Sequence, residues 1–192
     1  MIKELPIYEY MFNGIFVPEL SEAKNWPKNI LKCDFDWWLS NGVFGDANFV
    51  NKNGEIKELY SLYSVNRGLM NNASVVCFVR PVIEVIFDYL DIETIKGKYK
   101  INLYDKVKLA CLPNDEFYFV EYCGEPGFLL ADDCLAETKF KDRRTPIDEW
   151  VKYIKGNQKK YIVQVSIKSA DDTKADEFVT AFASDDFDEI TA

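Results

Sequence analysis

Histidine is absent from all 192 residues, so the commonest general base and the commonest zinc ligand are both missing. Ser-His-Asp, Cys-His and His-metal chemistry are excluded. Five cysteines remain as candidate nucleophiles: Cys33, Cys77, Cys111, Cys123 and Cys134. Their number is odd and no pair is spaced Cys-x-x-Cys, so neither a disulfide framework nor a zinc knuckle is implied. Each reads as a small buried apolar residue, Cys77 in Val-Val-Cys-Phe-Val above all. Carboxylates cluster at Asp34/Asp36 and Asp132/Asp133, where a cation or an acid–base pair would want them. Neither cluster has the spacing of a calcium loop, and both read as solvated turns. No catalytic residue, metal ligand or cofactor is therefore assigned.

What remains suits recognition. Trp37 and Trp38 are adjacent, and strand alternation sends one ring inward and the other outward. The pair is either a core anchor plus a ring covered by a loop, or an exposed aromatic platform for a sugar, peptide or base. Arg80 stands between apolar neighbours in Val79-Arg80-Pro81-Val82, where a charge is costly unless paired. It reads as a structural arginine bridging to a carboxylate (Asp34, Asp36 or Asp46) or to loop carbonyls, with anion binding in a pocket as the alternative. The loops at 40–47 and 64–74 are polar and amide-rich, which suits adaptable hydrogen bonding. Trp38, Asn66, Arg67, Asn71 and Asn72 are the candidate contact residues, with Trp37 and Arg80 structural.

The net charge of −9 argues against direct binding of nucleic acid, which needs a basic surface. Charge is uneven: 139–160 is locally basic, and the chain turns sharply acidic after Lys168. The stretch 182–190 mixes acidic and aromatic residues, as a solubilising tail, a docking peptide or a segment folding back on 139–160 would. No apolar run approaches the roughly 18 residues that span a bilayer, and the N-terminus lacks a secretory h-region. A cytoplasmic protein, or one carried on a phage particle, is expected, with no membrane partner.

The elements that must position these groups follow from periodicity and turn chemistry. Residues 7–17 read as two short strands around Asn13-Gly14, a hairpin signal. Ser21 caps a short helix that reaches Trp26 and stops at Pro27. Strands are expected at 35–39 and 47–50, with an Asn53-Gly54 turn leading into 56–63. From 75 to 86 the chain is apolar, and Pro81 restricts it to an edge strand or one that bends at the proline. Lys96-Gly97-Lys98 reads as a domain boundary. Beyond it, strands at 99–103, 106–112, 116–122 and 127–130 have the spacing of a small closed barrel. Thr145 caps a helix over 146–155 with Pro146 at its first position. Residues 161–168 alternate as a strand, and 174–184 form a last amphipathic helix.

Trp37-Trp38-Leu39-Ser40, Ala47-Asn48-Phe49-Val50, Asn53-Gly54 and Val79-Arg80-Pro81-Val82 carry a resemblance. From Ile15 to Val85 the chain resembles an uncharacterised bacterial and phage domain family with W-W-L-R-S, A-Y-V and G-V-R-P-A motifs. Ser40 replaces that family's arginine, and Cys77-Phe78 its glycine. The family is similar in pattern to the C-type-lectin-like fold of formylglycine-generating-enzyme-like proteins and of variable phage receptor-binding proteins. More weakly, 105–135 resembles the later strands of bacterial Src-homology-type small barrels, on Tyr118–Tyr122, Gly124-Glu125-Pro126-Gly127-Phe128-Leu129 and Asp132-Asp133-Cys134-Leu135.

The fold expected is α+β: a reduced C-type-lectin-like domain over 1–95, a small β-barrel-like domain over 96–169 with one or two short helices, and an acidic helix or tail over 170–192. The function expected is that of a non-enzymatic binding protein, of phage or mobile-element type, recognising a protein or glycan partner through lectin-like loops. The alternative is an acidic inhibitor that occupies a basic nucleic-acid-binding site on a host protein.

Overall fold

A computed structural model describes residues 2–40, 47–59, 76–86 and 92–168. The chain divides into two units, Met1–Trp150 and Val151–Ala192. The second is described only over 151–168, which is helical.

The first unit is α+β and contains two sheets. Its strands are β1 (Lys3–Leu5), β2 (Phe12–Phe16), β3 (Trp37–Trp38), β4 (Ala47–Val50), β5 (Ile56–Leu59), β6 (Val76–Phe78), β7 (Val82–Val85), β8 (Lys106–Leu109), β9 (Leu112–Tyr122), β10 (Glu125–Ala131) and β11 (Glu137–Lys139). Six of them form one sheet in the order β1-β8-β9-β10-β7-β2, and five form the other in the order β11-β6-β3-β4-β5. Two four-residue helices, α1 (Leu20–Ala23) and α2 (Lys28–Leu31), follow β2. Helix α3 (Ile92–Tyr99) precedes β8, and α4 (Arg144–Lys168) follows β11. Among the described residues no helix is long and apolar enough to cross a membrane.

Local chemistry explains several joins. Cys123 and Gly124 both have positive φ, 52° and 76°, which closes the β9–β10 hairpin with a right-handed twist. Gly54 has φ 83° and turns β4 back onto β5 as Asn53-Gly54 implies. Its Cα lies so close to the α2 backbone that an added Cβ would meet Lys28 O at 2.9 Å. Between β6 and β7 the chain leaves one sheet and enters the other, and Pro81, with no N–H to donate, stands at that bend. The core lies where these pieces meet. Trp37, Leu39 and Val50 from one sheet pack with Val82, Val120, Tyr122 and Leu130 from the other, joined by Ala23, Trp26, Ile30 and Leu31 of the α1–α2 segment.

Other expectations need correction. Asn13-Gly14 is not a hairpin: β2 runs straight through it, with a register shift against β7 between Phe12 and Gly14, after a 3-10 turn at Glu9–Met11. The long-range ladder to β7 uses the dipeptide's freedom for a bulge. Ser21 does not cap α1, whose N-cap is Glu19. No strand forms at 99–103, where Tyr99 ends α3 and Lys100 has φ 54°. Residues 161–168 continue α4 instead of forming a strand, because extending an existing helix adds one bond per residue while β propensity is weak alone.

There is no closed barrel among the described residues: β8, β9 and β10 belong to an open sheet completed by β1, β7 and β2. The division at Lys96-Gly97-Lys98 does not separate the strands either. That triplet lies in α3, whose inward residue is Ile95, so its polarity marks the outer face of a helix. β1 pairs in parallel with β8, β7 pairs with β10 and β6 pairs with β11, all across the supposed boundary. The expected helix at 174–184 and tail at 170–192 lie outside the described residues.

Candidate functional site

Trp37 and Trp38 point to opposite faces of β3, and both are fully buried. β3 is the central strand of its sheet, and the burial of both rings means that both of its faces are covered. The Trp37 ring enters the core and its Nε1 donates to Leu31 O at 3.0 Å. On the other face, Trp38 Nε1 donates to Thr138 O at 2.8 Å, and its ring meets Phe49 and Phe140 edge-on. The arrangement is a core anchor plus a covered ring. Trp38, expected among the contact residues, presents no exposed platform.

Arg80 is also fully buried. Its Nε donates to Ala131 O at 2.6 Å, and its Nη1 donates to Ile30 O at 2.7 Å and more weakly to Leu31 O at 3.5 Å. The guanidinium lies 5.0 Å from the Trp37 ring centre and 5.8 Å from that of Tyr118. The partners present are backbone carbonyls at the ends of α2 and β10, rather than the carboxylate or loop carbonyls expected. Asp36 instead accepts from the Lys52 backbone N–H at 2.9 Å, and Asp46 lies outside the described residues. Burial pulls the guanidinium below its ordinary pKa, while the nearby Cys33 and Cys134 sulfurs and the Asp132 carboxylate oppose that shift. Asp132 itself pairs with Lys106 at 3.3 Å.

An open groove of about 440 Å³ adjoins the end of β2, the first turn of α4 and Ser40. Phe16, Val17 and Ile147 supply apolar walls; Lys141, Arg143 and Arg144 supply three cations against the one acidic residue in the lining, Glu19. The basic side is held in place by the chain. Arg143 Nη1 donates to Leu39 O and Ser40 O, each at 2.6 Å, and its guanidinium stacks 3.6 Å from the Phe140 ring centre. Burial pulls its pKa down to about 10, so it remains charged at neutral pH. Arg144 reaches Ile15 O through Nη1 and Asp148 through Nε at 2.9 Å. Lys141 is exposed and forms no ion pair among the described residues. On the far wall, Tyr122 Oη accepts the Glu19 N–H at 3.0 Å. Burial pushes the phenol up to about 12, which keeps its proton available for donation. A concave surface with apolar walls, fixed cations and a hydroxyl donor suits a ligand with a carboxylate beside an aliphatic or aromatic group.

Asn66, Arg67, Asn71 and Asn72 lie outside the described residues, as do 41–46. Of the two expected contact loops, Ser40 at the start of the first is the residue that the structure places on the groove. Lys141, Arg143 and Arg144 were legible only as part of a basic stretch, and Phe16 and Tyr122 carried no signal as partners because they are 106 positions apart. Among the described residues no group of three or more Cys, Asp or Glu side chains is placed to hold a metal ion. Compared with protein-family models, curated proteins and solved structures, the chain matches none of them.

Proposed function

We propose that this is a binding protein, of phage or mobile-element type, that recognises a protein partner through an acidic segment seated in the groove beside Ser40. The cationic side of that groove, in a chain of net charge −9, carries the reading. Opposed charge steers encounter, and apolar walls hold the side chain next to the acid. The lectin-like character of the N-terminal part is included in the proposal, supported by the Trp-Trp-Leu-Ser, Ala-Asn-Phe-Val and Val-Arg-Pro-Val motifs. The 40–47 and 64–74 loops extend the contact surface through Asn66, Arg67, Asn71 and Asn72, and a glycan is the alternative ligand.

The test is affinity capture from host lysate with three baits: the wild-type chain, Lys141→Glu, and the double variant Arg67→Ala/Asn71→Ala. Lys141 is exposed, so reversing its charge leaves the packing untouched. Proteins retained by the wild type should be lost at least tenfold with Lys141→Glu, and their retention should fall with added salt. Loss with the double variant assigns the loops to the same surface. Equal retention by all three baits sinks the groove and the loops together.

A further inference from the structure

Cys33 lies in the bend between α2 and β3, and Cys134 in the bend between β10 and β11, 101 positions later. Their sulfurs are 3.2 Å apart and both side chains are partly exposed. Arg80 explains the approach. It hydrogen-bonds Ile30 and Leu31 just before Cys33 and Ala131 just before Cys134, so one guanidinium ties both segments and sets the thiols face to face. Its Nη2 is buried with no hydrogen-bond partner among the described residues, on a cation close enough to act on both sulfurs. Such a setting favours a thiolate.

The two thiols divide the labour. Cys33 is held below the ordinary thiol range, chiefly by the hydrogen bond from Cys134. Burial opposes that shift, while the Arg80 charge and the backbone N–H groups of Phe35 and Asp34 add to it. Cys134 is pushed up by the same hydrogen bond, by burial and by the charge on Cys33, with Asp133 adding to the rise and Arg80 opposing it. The pair titrates as a unit, and the Arg80 charge with the backbone N–H groups of Phe35 and Asp34 favours placing the negative charge on Cys33. When Cys33 is neutral, its thiol faces Asp132 O at 3.6 Å.

We propose that Cys33 and Cys134 form a reversible dithiol–disulfide couple that reduces a small peroxide, with Cys33 attacking and Cys134 resolving. The Cys33 thiolate attacks one peroxide oxygen, the O–O bond breaks, and hydroxide (or alkoxide) leaves, giving a sulfenic acid. Cys134 sulfur then attacks the Cys33 sulfur; the S–O bond breaks and water leaves with the Cys134 proton. The proton lost from Cys33 neutralises the first leaving group. Two thiols are oxidised to one disulfide, and the peroxide is reduced to water or to water and an alcohol. The sulfurs must close from 3.2 Å to a bond of about 2.05 Å. Two molecules of a low-molecular-weight thiol restore the dithiol and leave as their own disulfide.

Cys123 is the internal control. It is exposed, but its hydrogen bond to Glu22 pushes its pKa up. Exposure alone would make Cys123 react first; the proposal makes Cys33 react first. The experiment treats the reduced, full wild-type chain with equimolar hydrogen peroxide at pH 7, alkylates remaining thiols and maps peptides by mass spectrometry. A Cys33–Cys134 cross-linked peptide should form at least tenfold faster than Cys123 is oxidised, and a small thiol should reverse it. Cys134→Ser keeps a hydroxyl donor beside Cys33, and should stop at a Cys33 sulfenic acid that dimedone traps. The half-maximal pH for reaction of Cys33 should lie below the value of about 8.5 for a free thiol. Oxidation of Cys123 ahead of Cys33, or no cross-linked peptide from the wild-type chain, overturns the proposal irrespective of how the variants fold.

Discussion

A guanidinium with no ion-pair partner among the described residues is held at Arg80 by carbonyl oxygens and aromatic faces. Hydrogen bonds to a charged group contribute about 1.5–3 kcal/mol each, and burying the charge costs several kcal/mol, so the two nearly offset. What the residue adds is geometry: it fixes where the α2 end and the β10 end meet. Cys77, three positions earlier and buried in β6, is the contrasting case of an inert thiol. Burial, then the Asp36 charge, pushes its pKa up to about 12. In the unfolded chain it returns to the ordinary value of about 8.5. The folded state therefore keeps a proton that the unfolded state releases, and the contribution is complete below about pH 8.5. It is lost as pH rises from there towards 12, at up to about 1.4 kcal/mol per pH unit. Urea unfolding at pH 7, 9 and 10.5 should show a shallower alkaline loss in Cys77→Ala than in the wild type. Parallel losses would mean that this thiol does not couple to folding. Of the five cysteines expected to be small buried residues, Cys77 fits; Cys123 is exposed, and Cys33, Cys111 and Cys134 are half-buried.

Among the elements, the β4–β5 hairpin depends on one atom that is not there. Gly54 combines φ 83° with a backbone carbonyl 2.9 Å from where its Cβ would stand, and that carbonyl belongs to α2, which cannot shift cheaply. Gly54→Ala should destabilise the chain by about 1–3 kcal/mol. Gly97→Ala, in α3 with nothing within 4 Å of the added Cβ, should stabilise it by up to about 1 kcal/mol. Urea midpoints decide both signs, and a Gly54→Ala chain as stable as wild type would refute the close approach. The Asn53-Gly54 turn was legible because a turn's requirement for positive φ is local. Asn13-Gly14 gave the same local signal, yet its strand answers to β7 some 70 positions away. The 161–168 stretch misled for a related reason: its β-branched residues alternate, but the helix already running into them wins. Sites made by such distant pairings leave still less trace. The basic half of the groove stood out as a run of charge, whereas its union with Phe16 and Tyr122, and that of Cys33 with Cys134, comes only from the sheet order.

At the scale of the first unit, the ladders argue for one cooperative structure. β8, β9 and β10 bury Val107, Leu109, Phe117, Phe119, Leu129 and Leu130, and two neighbours that complete their sheet, β1 and β7, come from before residue 96. β6 in turn takes β11 as its edge partner. Each half removed alone would expose strand edges and leave the shared cluster of Trp37, Val82, Val120 and Leu130 open to water. Small cores of this size are marginal even when intact. Chains cut between 97 and 98 should therefore behave as a complementing pair. Produced separately, 1–97 and 98–192 should show no cooperative unfolding transition. Produced together, they should co-purify and recover the far-ultraviolet spectrum of the uncut chain. A protease nick in α3 should likewise leave both pieces together on gel filtration. Two separately folded fragments that ignore each other would show that the cross-boundary ladders contribute little, and the groove, which draws Phe16 from one side and Tyr122, Lys141 and Arg143 from the other, would lose its structural basis with them.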